Sequence, residues 1–244
     1  VVNAAEQDTV EIRGTGEDSA TVNVTVSDGM NTDVTASTTV SGGNWTVTVD
    51  VSGLNDSNLN ITANAEDAAG NTVQATKTLA KDTVHPSVGI DGTLEGDNVV
   101  NAAEQDSVEI RGTGEDGATV NVTVSDGVNT DLTDSTTVSG GTWTVTLDVS
   151  GLNEGNLDIT ADAEDPAGNT AQATKAITKD TVLTIAIDGS LEEDNVVNAA
   201  EQDSVEITGT GEDGATVDVT VSDGNLDVSR SATVSGGTWT VTVD

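Results

Sequence analysis

The stretch TVNVTVSDGVNTDLTDSTTVSGGTWTVTLD, residues 119–148, alternates apolar and polar side chains on either side of glycine-containing turns. Valine occupies every second position from Val120 to Val124, and Trp143, Val145 and Leu147 follow the same period. A period of two is typical of β-strands that bury one face. No helical period competes with it, and the SDG and SGG words supply the turns. The stretch therefore predicts consecutive antiparallel strands.

The same words recur along the chain, which indicates tandem domains. VVNAAEQD begins at Val1, Val99 and Val196, and closely similar sequence follows each copy. A unit of about 97 residues is too long for a solenoid repeat and has the size of one autonomous domain. About seven strands per unit are expected, the count of an immunoglobulin-like sandwich. The predicted fold class is all-β, with tandem immunoglobulin-like β-sandwich domains arranged end to end.

The linkers KDTVHP, residues 81–86, and KDTVL, residues 179–183, mark the expected domain boundaries. Short apolar segments at 88–91 and 185–188 supply the opening strand of the second and third units. The predicted domains are 1–83, without its opening strand; 84–181, complete; and 182–244, without its C-terminal strands. We expect the natural protein to continue beyond both ends.

The last strand of each unit has a less regular pattern. The inward phase of Val73, Ala75 and Leu79 also includes Lys77. Either a bulge, or a lysine whose ammonium group snorkels away from the apolar face, is expected there.

Composition excludes several classes of function. The 43 acidic and 7 basic residues give a net charge of −36, which opposes binding to nucleic acid or to an anionic membrane surface. Cysteine, phenylalanine and tyrosine are absent, so disulfides and thiolate metal sites are excluded and the core must be mostly aliphatic. No apolar run approaches the roughly 18 residues of a membrane span, and no direct membrane insertion of this segment is predicted.

Catalysis is not expected either. His85 is the single histidine, and its counterpart in the next linker is the apolar Leu183. No nucleophile with a positioned histidine is recognisable, and the aromatic platforms that a sugar-cleaving cleft needs are missing. The chain is predicted not to be an enzyme, with no catalytic residues.

Acidic residues concentrate in the turns, which the sandwich threading places at two opposite poles. The B–C, D–E and F–G loops share one pole, and the A–B segment, the C–D loop and the E–F loop share the other. Units stacked end to end would press carboxylates together, and a divalent cation would reverse that repulsion. Ca²⁺ is the expected ion, because it accepts carboxylate, amide and carbonyl oxygens in irregular loops, whereas Mg²⁺ requires a stricter octahedron. Softer metals lack the ligands they prefer here.

The candidate ligands form three groups. The junction group comprises Glu6, Asp82, Glu115, Asp116 and Asp165, with Glu104, Asp180, Glu212 and Asp213 at the next junction. The DNVVNAAEQD segments contribute Asp97, Asn98, Asn101 and Glu104, and again Asp194, Asn195, Asn198 and Glu201. A third and weaker option is DGVNTD, residues 126–131. For any single acidic turn the alternative is an ordinary solvated residue that stabilises the turn.

Several words together carry a family resemblance: NAAE after a DN turn, GTGEDGATV, WTVTL, the AEDPAGNT hairpin and the KDTVxP linker. They resemble the bacterial immunoglobulin-like (BIg) extender repeats of giant calcium-dependent RTX-type adhesins secreted by type I systems. The likeness covers essentially the whole chain. The GGxGxDxUx calcium nonapeptides of such proteins are absent, as expected for an internal fragment.

The resemblance implies a structural extender at the bacterial cell surface. Such an extracellular arm serves adhesion and biofilm formation by projecting a distal ligand-binding region away from the cell. Neighbouring repeats of the same chain and calcium ions at the linkers are the implied partners. The implied metal positions are Asp82, Asp180, Asp67, Asp165, Glu6, Glu104 and Glu201.

Two other functions remain as alternatives. Thr142, Thr144 and Thr146 form a flat polar row of the kind that faces carbohydrate or ice, which suggests a carbohydrate- or surface-binding module. The row recurs almost unchanged in each unit, and such repetition favours a spacer over a recognition face. A self-associating, calcium-dependent surface-layer or cell-adhesion protein would use the same acidic sites.

Overall fold

The computed structural model describes residues 1–192 and 195–244, and the regular elements of that part are nineteen β-strands. The chain is all-β, as predicted. It divides into two compact units, Val1–Asp180 and Thr181–Asp244. The first unit contains two copies of the sequence repeat and the second contains the third copy, and we call these the first, second and third repeats.

The first repeat is built from two antiparallel sheets. One pairs β1 with β4, and the other has the order β3-β2-β5-β6. Val24, Val26 and Leu59 are completely buried between them, on the phase that the alternating pattern predicts. The strands are β1 (Val10–Thr15), β2 (Thr21–Ser27), β3 (Val34–Thr39), β4 (Asn44–Val49), β5 (Asn58–Glu66) and β6 (Thr72–Ala80).

The second repeat adds two short strands to the same plan. Its strands are β7 (Val88–Ile90), β8 (Val99–Val100), β9 (Val108–Gly114), β10 (Thr119–Ser125), β11 (Leu132–Thr137), β12 (Thr142–Leu147), β13 (Gly155–Glu164) and β14 (Thr170–Lys179). The sheet orders are β12-β9-β7 and β11-β10-β13-β14-β8. The opening segment thus changes sheets, because β7 pairs antiparallel with β9 and β8 pairs parallel with β14. This is the immunoglobulin-like sandwich that the strand count predicts.

The third repeat, taken by itself, has a sheet of order β15-β16-β19 and a pair β17-β18. Its strands are β15 (Ile185–Ile187), β16 (Val205–Gly211), β17 (Thr216–Ser222), β18 (Asp227–Thr233) and β19 (Thr238–Val243). Trp239 and Ile207 lie in its core.

The loops of the second repeat converge at two poles, as the threading predicts. At one pole the carboxylate of Asp116, in the β9–β10 turn, accepts the backbone N–H of Gly141, in the β11–β12 turn, at 2.7 Å. At the other pole the carboxylate of Asp126 accepts the N–H of Asn153 at 2.7 Å and so ties the β10–β11 loop to the β12–β13 loop.

Of the two expectations for the lysine in the last strand, the second repeat shows the snorkelling lysine, and its strand has no bulge. β13 and β14 pair without interruption from Gly155↔Lys179 to Glu164↔Thr170. The Nζ of Lys175, which corresponds to Lys77, donates a hydrogen bond of 2.8 Å to the carbonyl of Gly92, just after β7. The charge of the lysine therefore reaches the backbone just beyond the opening strand and does not point into the core.

Candidate junction between the first and second repeats

The hairpin between β13 and β14, with the sequence EDPAGNT, contains the two most buried acidic or amide groups of the second repeat. Asp165 and Asn169 are 5% and 3% exposed. One oxygen of Asp165 accepts the N–H groups of Ala167 and Asn169 at 2.8 and 2.9 Å. The other accepts Nδ2 of Asn169 at 2.8 Å. Asp165 therefore fixes the orientation of the Asn169 amide.

That amide joins the two repeats. Its Oδ1 accepts the backbone N–H of Ala4 at 2.8 Å, and its Nδ2 donates to the carbonyl of Asp82 at 3.0 Å. Ala4 lies in the NAA turn of the first repeat and Asp82 lies in the linker. One buried side chain thus uses both ends of its amide to hold the start and the finish of the neighbouring repeat.

Two further hydrogen bonds widen this contact. Asn3 Nδ2 donates to the carbonyl of Ala167 at 3.3 Å, and His85 Nδ1 lies 2.9 Å from the carbonyl of Thr170. Because a carbonyl only accepts, His85 donates from Nδ1 in this arrangement. His85 is therefore a junction residue, which the comparison with Leu183 had not indicated.

The NAA turn itself is closed by side chains. Oε2 of Glu6 accepts the N–H of Asn3 at 3.1 Å, and Oδ1 of Asn3 accepts the N–H groups of Ala5 and Glu6. The second and third repeats have the same turn, in which Glu104 caps Asn101 at 3.0 Å and Glu201 caps Asn198 at 2.9 Å. In the first repeat, Glu6 therefore stabilises the turn that the hairpin of the second repeat contacts through Asn3 and Ala4.

The linker is anchored by a lysine that the sequence analysis missed. Lys81 is 5% exposed, and its Nζ donates to the carbonyl of Leu54 at 2.7 Å and lies 3.1 Å from Asp56. Asp56 also accepts the N–H of Thr83 at 3.0 Å. In the second repeat Lys179 is 3% exposed and reaches the carbonyl of Leu152 at 2.7 Å. The sequence feature that could have indicated this anchor is KDT, which recurs at residues 81–83 and 179–181.

Hydrogen bonding also determines the charge state of the buried Asp165 and of Asp56, the partner of Lys81. Burial alone would raise the pKa of Asp165, but hydrogen bonds from the side chain and backbone of Asn169 outweigh it and leave the pKa below its usual value. For Asp56, burial is likewise outweighed by hydrogen bonds from Thr83 and Lys81, and the pKa is lowered. Both groups are therefore anionic at neutral pH.

The remaining predicted ligands lie in separate turns. Asp213 holds Gly237 as Asp116 holds Gly141, while Asn98 and Asn195 accept N–H groups of Leu94 and Leu191. Asp97 accepts the N–H of Val99. Asp67 accepts hydrogen bonds from the backbone N–H and Nδ2 of Asn71, in the same way that Asp165 accepts them from Asn169. Glu115, Glu212 and Asp180 contribute backbone hydrogen bonds to turns and strand ends. Asp194 lies outside the described residues.

Within residues 1–192 and 195–244, no three His, Cys, Asp or Glu side chains are grouped as a ready metal site. Three carboxylates of the predicted junction group accept N–H groups: Glu6 from Asn3, Asp82 from Val84, and Asp165 from its own hairpin. Their oxygens are nevertheless the hard donors that calcium takes. Metal ligation by these residues stays a prediction.

The family profile described as "Bacterial Ig-like domain" matches residues 3–83 and 78–181. This chain belongs to the bacterial Ig-like domain family. The family prediction is confirmed, and the two matched ranges follow the first two repeats. No curated protein matches the chain.

Three solved structures of adhesins are similar to this bacterial Ig-like chain. One comes from a 1.5-MDa bacterial ice-binding adhesin, with 28% identity over 99% of this chain and 82% of that one and a TM-score of 0.43. A Ca²⁺-stabilised adhesin with which an Antarctic bacterium binds ice has 29% identity, over 99% and 62%, with a TM-score of 0.44. A tetra-tandem repeat from the extending region of a large adhesion protein has 27% identity, over 96% and 62%, with a TM-score of 0.39.

In the last two cases the chain spans less than two thirds of the matched chain, 62% in each.

The described part of the chain has no helix with the length and apolar character that crossing a bilayer requires.

Proposed function

We propose that this chain is a structural extender segment of a large bacterial cell-surface adhesin. Bacterial Ig-like domains are structural modules, and this chain repeats one of them in tandem. The carrying observation is the Asn169 amide, which bonds to both the NAA turn and the linker of the preceding repeat. This contact joins one pole of a repeat to the opposite pole of the preceding repeat. It can therefore fix the orientation of each repeat relative to the one before it, which is what a spacer requires. An extracellular location belongs to the same proposal.

Calcium is the proposed cofactor of this extender. A net charge of −36 on a chain whose turns are acidic favours a cation, and Glu6, Asp82 and Asp165 supply carboxylate oxygens near the junction. Asp82, Asp165 and Glu6 would hold the ion at the first junction, together with Glu115. A bound ion supplies positive charge between the poles, and the chain's own residues supply the fixed turns on which the carboxylates sit. A site at 100 times its dissociation constant stabilises the docked state by about 2.7 kcal/mol.

The test is small-angle scattering of the whole chain in calcium, in magnesium and in chelator, at matched ionic strength. We expect the distribution of interatomic distances to broaden on chelation and to recover with calcium but not with magnesium. A profile that is unchanged by chelation contradicts calcium at the junctions. If Asn169→Ala also leaves the profile unchanged, the docked extender itself is contradicted.

The threonine row does not favour a second function. Thr142, Thr144 and Thr146 are exposed on β12, as the period predicts. Their neighbours on β9 include Glu109 and Arg111, which form an ion pair of 2.7 Å beside the row. Charged side chains interrupt the flat uncharged face that an ice- or sugar-binding surface would present.

A further inference from the structure

The broader sheet of each repeat has a free edge on the same side. Among the described residues, β3 pairs only with β2, β11 only with β10, and β18 only with β17. A free edge presents unpaired backbone N–H and C=O groups, with which another strand can pair. β11 is an edge even in the second repeat, where the opening and closing strands are both present, so the free edge of β3 belongs to the fold itself.

The second and third repeats carry a charged side chain in the middle of this edge strand. The position lies directly opposite a buried valine of the neighbouring strand, so its Cβ lies on the core side of the sheet. In the three repeats the pairs are Ala36↔Val24, Asp134↔Val122 and Arg230↔Val219. A charge on the core side of an edge strand opposes the pairing of a further strand, because the pairing would bury it.

β3 of the first repeat lacks this protection. Ala36 is half-buried and packs against the core, whereas Asp134 and Arg230 are exposed. The sequence of β3, VTASTT, contains no charged residue and no proline. Valine and threonine, which make up most of it, are residues that favour strands. The strand is therefore open to a partner strand in the first repeat alone.

The charge differences between the first two repeats all lie on this sheet. Residues 1–84 and 99–182 align without gaps, and a charged residue of one copy is uncharged in the other at three positions. The pairs are Ala36 and Asp134, Asn60 and Asp158, and Asn64 and Asp162. The carboxylate belongs to the second repeat each time. Asn60 and Asn64 are exposed on β5, so the first repeat combines an unprotected edge with a less charged outer face beside it.

We infer that the free edge of β3 is a self-association site, whose occupant is β3 of a second copy of this chain. Two copies of one strand can pair antiparallel about a two-fold axis, so that each presents the groups that the other needs. A pairing that keeps the core-side residues on one side places Ala36 or Ser37 opposite its own copy. Neither residue brings a charge to the contact, although each chain carries a net charge of −36.

The missing carboxylate is the reason to choose a second copy over a foreign strand. An aspartate on the edge could face a lysine of a foreign strand, but in a two-fold pair it lies directly or diagonally opposite the same aspartate. Like charges opposite each other are destabilising. Alanine at position 36 therefore removes an obstacle that matters most between identical strands.

The test is sedimentation of the whole chain from micromolar to millimolar concentration, in EDTA and molar sodium chloride, where the Debye length is about 3 Å. We expect a reversible monomer–dimer equilibrium that weakens at low salt, because the two acidic chains then repel each other. Ala36→Asp should weaken association about tenfold or more, since it buries a charge at the contact. The matched control is Ala36→Ser, which should change association less than about twofold. The second repeat folds with aspartate at this position, and urea denaturation checks that the variant does too.

A second measurement locates the contact. Amide hydrogen exchange of the dimer should show added protection in residues 34–39 but not in residues 132–137. Asn64→Asp changes the outer face on β5, two strands from the edge, and should alter association less than about twofold. Loss of association in Asn64→Asp but not in Ala36→Asp means that the faces stack, which overturns the inference.

Three further results also overturn it. They are a chain that stays monomeric at millimolar concentration, association that requires calcium in place of EDTA, and undiminished association of Ala36→Asp. A monomeric chain whose β3 amides become protected by a blocked TVTVTV peptide takes a foreign strand as occupant, which contradicts a second copy. The expected dimer needs neither calcium nor the Asn169 contact, so this inference and the proposed function fail separately.

Discussion

At the scale of single residues, the same hairpin behaves differently in two repeats. Asp67 and Asn71 of the first repeat make the hydrogen bonds that Asp165 and Asn169 make, including Asn71 Nδ2 to Asp67 at 2.7 Å. Yet Asp67 is only half-buried and Asn71 is exposed, whereas Asp165 and Asn169 are buried against the preceding repeat. The local sequence thus builds the hairpin, and the neighbour turns it into a junction.

We predict that Asn169→Ala lowers the free energy of unfolding by about 2–3 kcal/mol. It removes the bonds to Ala4 and Asp82 as well as the side-chain bond to Asp165, and each is worth about 0.5–1.5 kcal/mol. The matched control is Asn71→Ala, which loses only bonds within its own hairpin. Urea denaturation of the two variants measures the difference. Equal effects of the two substitutions would mean that the docking bonds contribute nothing.

We also predict that the stabilising effect of Asp165 depends on pH. Its folded pKa lies below the reference value of 3.8, so the stabilisation is fully present well above pH 3.8 and is lost as the pH falls through the folded pKa. The melting temperature of the protein should therefore exceed that of Asp165→Asn by a margin that is constant near neutral pH and shrinks on acidification. A margin that stays constant down to about pH 2 would contradict this assignment.

At the scale of elements, the pairing of the opening strand depends on a glycine in the strand beside it. β7 can pair with β9 only because Gly112 presents no Cβ to the carbonyl of Gly89. The same glycine lets the indole of Trp143 lie flat against the strand and donate from Nε1 to the carbonyl of Thr113 at 3.0 Å. Gly112 therefore allows both the pairing of β7 with β9 and the packing of Trp143, the largest side chain of the core.

We predict that Gly112→Ala displaces β7 and loosens Trp143, at a cost of about 1–3 kcal/mol. In the first repeat the three atoms nearest to a Cβ on Gly14 all belong to the indole of Trp45, the first at 2.5 Å. Among the described residues β1 pairs with β4, so Gly14→Ala in this chain should have the smaller effect. Tryptophan emission and urea denaturation measure both variants. A larger loss for Gly14→Ala would show that the indole contact, and not the strand, imposes glycine here.

At the scale of the whole molecule, the net charge of −36 opposes the folded state. Few of the carboxylates are neutralised by the seven basic residues, two of which, Lys81 and Lys179, are buried and engaged near the linkers. The folded chain therefore carries a self-repulsion that any added ion screens.

We predict that the melting temperature rises with sodium chloride and reaches a plateau near molar concentrations, where the Debye length is about 3 Å. Calcium at the same ionic strength should raise it further, since site binding adds to screening. Differential scanning calorimetry of the whole chain separates the two contributions. If calcium matches sodium at equal ionic strength, general screening accounts for the whole effect.

Much of the fold follows from local sequence. The period of two predicted the strands because alternate side chains of a strand point to opposite faces, and Val120, Val122 and Val124 are all fully buried. The repeated words predicted tandem domains, and the NAAE and AEDPAGNT words indicated the segments that form the junction. These features depend only on residues near one another in the chain.

Other features depend on residues far apart, and only the tertiary structure decided them. The sequence showed that Asp165, Asn169, Ala4 and Asp82 recur, but not that one amide bonds to both the turn and the linker, because hydrogen-bond partners more than 80 positions apart leave no local pattern. Lys81 and Lys179 marked only the expected domain boundaries in the sequence, yet packing buries them and backbone carbonyls accept their hydrogen bonds. Strand alternation is a property of the chain itself, whereas the partner of each buried polar group is determined by which segments the folded sandwich brings together.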